Sequence, residues 1–147
     1  MTTGRMSPQG DPMARALRGI GPARLLFLVG AWLFVACVVV QVVLVGLEIF
    51  ARLGGSIHRD FAYVYGWLAP VLVLLAGAAR LPTRTRTLTV VLLVAFAVQT
   101  VLPSLRGQFP LLAALHTVNA VAIFALAILV ARRATSSIRQ PAEPDAT

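Results

Sequence analysis

The chain has 147 residues, of which 59% are hydrophobic and 12% charged, with a mean hydropathy of +0.86 and a formal net charge of +8. A soluble domain of this length cannot hide so much apolar surface, so composition favours a membrane protein. Nor does the charge point to nucleic acid: all thirteen basic residues are Arg, grouped between apolar runs in the manner that membrane orientation demands.

Taken in chain order, residues 1–22 are rich in Gly, Pro, Arg and small polar residues and read as a disordered cytoplasmic tail. The uncharged run 25–47 is long enough to cross a hydrocarbon core of about 30 Å as a helix. It is too long for the apolar core of a signal peptide and no A-x-A-like site follows it, so it is expected to stay attached as helix one. Cys37 lies within it and is the only cysteine, which excludes an intramolecular disulfide and leaves a small buried hydrophobe. Gln41 falls in the far third of this helix. Glu48, near its end, precedes Arg52 by four residues, the spacing of an ordinary helix ion pair.

Gly54 and Gly55 break the chain, and Ser56 is placed to cap the next helix. The second run, 61–79, contains Pro70, which predicts a kink. After the turn "LPTRT", the third run, 87–105, carries Gln99 in its far half. The fourth, 107–131, has Pro110 at its first turn, His116 six residues on and Asn119 one turn further. Residues 134–147 read as a second disordered cytoplasmic tail. The fold class is therefore all-α membrane: a four-transmembrane-helix up-down bundle over residues 23–133, with short loops that make sequential helices neighbours.

Arginine placement orients the bundle. Arg5, Arg15, Arg18 and Arg24 precede helix one, Arg80, Arg84 and Arg86 fill the second loop, and Arg132, Arg133 and Arg139 follow helix four. Only Arg52, Arg59 and Arg106 lie in the other loops. The positive-inside rule then puts both termini in the cytoplasm of a bacterial inner-membrane protein. A repeat is also visible: Gln41 precedes His58 by seventeen positions, and Gln99 precedes His116 by the same interval. This suggests two repeated helix pairs.

Gln41, Glu48, His58, Gln99, His116 and Asn119 all fall in the outer half of the bundle, where polar groups are costly and face the interior. The amides can serve as interhelical hydrogen-bond glue. His116 needs a partner for each ring nitrogen at that depth. At helical spacing His58 shares a face with Ala62, Tyr65, Ala69 and Ala76, and His116 with Ala113, Ala120 and Ala127. Such faces serve close helix packing or leave a slot for a flat ligand. Two imidazoles from two helices suit a haem iron, with Arg52, Arg59 and Arg106 as partners for its propionates. Zinc would want four ligands, and neither Cys nor acid stands beside both histidines. A proton relay stays open.

The segments "IHRDFAYVYGWL" in helix two and "ALHTVNA" in helix four resemble the His-Arg and Leu-His-x-x-x-Ala segments of haem A synthase, and the chain also resembles a family of small bacterial four-helix membrane proteins of unknown function. The first resemblance implies haem b held by His58 and His116, as in one four-helix half of that enzyme. It does not imply the enzyme's oxidation chemistry, because Gly55 stands where the catalytic half of that family has Glu; no catalytic residue is assigned. Three readings follow: a b-type haem protein in redox or haem handling, a non-enzymatic accessory or assembly subunit without cofactor, and a small transporter. The partners expected are the lipid bilayer, and a second copy of the chain or a membrane redox partner, with no nucleic acid.

Overall fold

The computed structural model describes residues 21–52 and 56–139. The expectations of disorder in residues 1–20 and 140–147, and of a break at Gly54 and Gly55, lie outside the described residues. Helix α1 runs Pro22–Phe50, α2 Ile57–Tyr65, α3 Leu68–Ala78, α4 Thr83–Val101 and α5 Pro110–Arg139, with a 3-10 segment, Leu102–Gly107, between the last two. No strand occurs among the described residues. Four helical stretches are long and apolar enough to cross a membrane: Pro22–Phe50, Ile57–Ala78, Thr83–Gly107 and Pro110–Ser137. Each contains one of the four uncharged runs almost entirely. The bundle outlasts the expected limit at Arg133: Ala134 is buried, and Thr135 accepts a hydrogen bond from Trp32 Nε1 at 3.2 Å.

Packing follows a square. The first span packs on α3 and α5, and α4 packs on α3 and α5, so spans one and three are diagonal, as are spans two and four. Buried positions recur at three- and four-residue intervals: Phe27, Ala31, Phe34, Val35 and Val38 on α1, and Thr85, Thr89, Leu92 and Phe96 on α4. Ala69, Ala76, Ala127, Ala131 and Ala134 let the other backbones approach closely. Buried Thr89 satisfies its hydroxyl internally, donating to the Thr85 carbonyl at 2.9 Å.

Pro70 interrupts the hydrogen bonding of span two, although Gly66 and Trp67 keep right-handed helical dihedrals. Pro70 has no N–H, so the Gly66 carbonyl loses its helical donor and takes the Ala69 N–H at 3.1 Å instead. The interruption therefore falls at Gly66 and Trp67, one turn before the proline. Gly66 has a second reason to be glycine: a Cβ there would lie 2.7 Å from Phe96 Cε1. Phe96 needs that approach because its ring meets Phe34 and Tyr65 edge-on, with centroids 5.9 and 5.4 Å apart. Phe34 and Tyr65 stand 5.6 Å apart, so three spans meet in one aromatic node.

The node marks a boundary. Buried residues concentrate on it and between it and the end that carries the α3–α4 turn, with Val38, one turn beyond Phe34, the last of them on α1. No described residue from 39 to 64, or from 97 to 122, is buried. The two ends differ accordingly: one is a packed basic end, the other a histidine end whose inward residues are only half-buried.

Candidate functional site

At the histidine end, each hairpin holds its own histidine. In the first, α1 and α2 are tied by three hydrogen bonds. His58 Nδ1 donates to Glu48 Oε2 at 2.6 Å, the His58 backbone N–H donates to Glu48 Oε1 at 3.0 Å, and Gln41 Nε2 donates to the His58 carbonyl at 2.8 Å. Glu48 thus does two jobs. It satisfies an orphan N–H of the first turn of α2, where a carboxylate also suits the helix dipole, and it fixes the ring of His58.

These contacts correct two expectations. Glu48 does not pair with Arg52, because the helix ends at Phe50 and Arg52 turns into the left-handed region at φ 53°, which destroys the four-residue helical spacing. Ser56 occupies the cap position of α2 without a side-chain cap bond; Glu48 supplies it from the neighbouring span. Arg59 pairs only with Asp60, at 3.5 Å and with both side chains about 60% exposed, a contact of little energetic weight.

In the second hairpin the network settles its own polarity. Asn119 Nδ2 donates to the Ala95 carbonyl at 2.9 Å and to Gln99 Oε1 at 2.8 Å. With its oxygen turned to Asn119, the Gln99 amide presents its NH2 to His116 Nε2 at 3.2 Å. His116 Nε2 is therefore the lone pair, and Nδ1 carries the proton that it donates to the Gln99 carbonyl at 3.1 Å. That carbonyl is free for a local reason: its helical donor would be residue 103, which is proline. The sequence reading missed this role for Pro103, although the four-residue offset from Gln99 was there to be seen.

Each Gln thus bonds the His seventeen positions further on, but to different atoms. Gln41 reaches the backbone of His58, and its Oε1 is buried without a partner; Gln99 reaches the ring of His116. The two clusters stand on opposite hairpins, with the histidines themselves on diagonal spans, and no hydrogen bond joins them among the described residues. Arg52, Arg59 and Arg106 are exposed at the same end. Cys37 is half-buried against the core. Among the described residues there is no group of three or more His, Cys, Asp or Glu able to hold a metal ion.

Residues 41–105 match a family of unknown function, DUF6220. The match spans under half the chain: it takes in Gln41, Glu48, His58 and Gln99 and stops short of Arg106, His116 and Asn119. No curated protein and no solved structure matches the chain. None of these comparisons supports the expected resemblance to haem A synthase.

Proposed function

We propose that this multi-pass membrane protein is a b-type haem-binding bundle, in which His58 and His116 would hold the haem. One observation carries the reading: both rings have Nδ1 held by an acceptor, which leaves Nε2 as the lone pair on each. Metal-ligating histidines are oriented in this way, their far N–H held by a carboxylate or a backbone carbonyl. The residues fit the group in other respects. The histidines stand on diagonal spans at the end where no residue is buried, and Ala62, Ala113 and Ala120 on their faces are small and half-buried. Glu48 would hold the ring of His58 in place, the Gln99 amide would turn aside from His116, and Arg52, Arg59 and Arg106 would meet the propionates. Bound there, haem would supply one-electron redox chemistry.

The positive-inside rule supports an orientation with the basic end in the cytoplasm of a bacterial inner membrane. In a Cys37→Ala background, a cysteine at Gly107 should then be labelled from outside, and one at Thr83 only after the membrane is opened.

A second reading has its own support. The Gln99 amide already occupies His116 Nε2, as a non-enzymatic accessory subunit stabilised by polar contacts would have it. An optical spectrum of the detergent-purified protein, oxidised and dithionite-reduced, separates the two. Sharp reduced bands lost in both His58→Ala and His116→Ala support haem. A colourless protein after expression with haem supplied leaves the accessory reading.

A further inference from the structure

The basic end carries Arg24 on the first turn of α1, Arg80 in the α3–α4 turn, Arg84 and Arg86 on the first turn of α4, and Arg132 and Arg133 on α5. All four spans contribute, and among the described residues none of the six is in an ion pair; both described acids, Glu48 and Asp60, lie at the other end. Arg24 reaches across to the α3–α4 turn. Arg24 Nε donates to the Ala79 carbonyl at 3.4 Å, which sets its guanidinium beside the residue before Arg80. The platform beneath is firm: Ala79, Leu81, Thr85 and Ala131 are buried.

Arg80 itself is in an unexpected place. α3 ends in a tight reversal, with Leu81 N–H donating to the Ala76 carbonyl at 3.1 Å and Arg80 N–H to the Gly77 carbonyl at 2.9 Å. This closure needs a left-handed residue, usually Gly. Here it is Arg80, at φ 48°, although the conformation is strained for any side chain with a Cβ. A strained arginine beside the turn that a second arginine contacts, with no acid among the described residues at this end, calls for an anion.

The depth says which anion. Span two, Ile57–Ala78, has 22 residues and rises about 33 Å, just enough for the hydrocarbon core. Arg80 follows directly and so stands at the level of lipid phosphates. We propose that the basic end binds anionic phospholipid headgroups, with Arg24 and Arg80 as the central pair on one phosphate.

The test uses the full chain in nanodiscs of phosphatidylcholine alone or with phosphatidylglycerol added, read by thermal unfolding. Phosphatidylglycerol is expected to raise the unfolding temperature by about 5 °C. Arg80→Gly should raise stability in phosphatidylcholine by relieving the backbone, yet lose most of the phosphatidylglycerol gain; Arg24→Gln should lose it too, and Arg59→Gln at the other end should keep it. Equal stability in both lipids, an undiminished gain in Arg80→Gly, or an equal loss in Arg59→Gln would overturn the proposal. So would millimolar inorganic phosphate reproducing the gain in phosphatidylcholine, since the site would then take a free anion and not a lipid.

Discussion

His116 Nδ1 donates to the backbone carbonyl of Gln99, 3.1 Å away, at the point where Pro103 has removed that carbonyl's helical donor. A side chain from span four thus replaces a backbone hydrogen bond missing from span three. In hydrocarbon an unsatisfied carbonyl is costly, so the histidine has a structural task whether or not it also serves a ligand.

The relation predicts a rescue. His116→Ala should lower stability in detergent by about 1 kcal/mol, within the range measured for membrane side-chain hydrogen bonds. Pro103→Ala restores an N–H at the right position and should recover most of that loss, while changing the wild type little. Unfolding titrations of the four proteins measure the coupling; strictly additive effects would sink the idea.

Glu48 governs the tautomer of His58. Its two oxygens accept from the ring and from the backbone of the same residue. In Glu48→Gln the single oxygen is expected to keep the backbone N–H, and the amide NH2 then faces Nδ1. The ring must respond by moving its proton to Nε2, and in the haem reading His58 would lose its free lone pair. Nitrogen NMR on histidine-labelled protein reads the tautomer directly. An Nε2 that stays unprotonated in Glu48→Gln would show that the carboxylate does not set it.

Most of the fold was legible because membrane helices announce themselves by length and hydropathy. The exact ends were not: α5 runs past Arg133 because Ala134 packs and Thr135 meets Trp32, contacts that exist only once span one lies alongside. The six polar residues were found by their cost; the seventeen-residue interval was read as a repeat, and that each Gln bonds the His it precedes emerged only from the structure. Glu48 was assigned to Arg52 because the reading assumed a helix that continues, whereas the chain leaves it at Ala51 and lets the carboxylate reach the next span. The need for glycine at position 66 was hidden for a similar reason. Pro70 was visible, but the ring of Phe96 that requires glycine comes from another span.

Gly66 offers the sharpest packing prediction. A Cβ would fall 2.7 Å from Phe96 Cε1 and 3.0 Å from Cζ, closer than atoms tolerate, so Gly66→Ala must push the ring out of the node with Phe34 and Tyr65. Overpacking of this kind costs about 1–3 kcal/mol. The same Cβ would also stand 2.8 Å from the Ala62 carbonyl oxygen, so Phe96→Leu, destabilising alone through loss of ring contacts, should recover the ring's share of the cost of Gly66→Ala and leave the backbone's share. Thermal unfolding of the single and double variants checks this; a full cost of Gly66→Ala in the Phe96→Leu background would place the fault in the backbone and not in the ring.

The two glutamines, equivalent in sequence, should differ in energy. Gln41 makes one bond, to the His58 carbonyl, and carries a buried Oε1 with no partner. Gln99 links the His116 ring to Asn119 with both ends of its amide. Gln41→Leu removes a bond and a desolvated orphan together, and these offset each other, so stability should change by less than about 0.5 kcal/mol. Gln99→Leu strands His116 Nε2 and one Asn119 hydrogen and should cost about 1 kcal/mol or more. Unfolding in detergent separates the two outcomes. If Gln41→Leu proves the costlier change, the buried Oε1 has a partner in the membrane, and the first hairpin holds a ligand or water that the second does not.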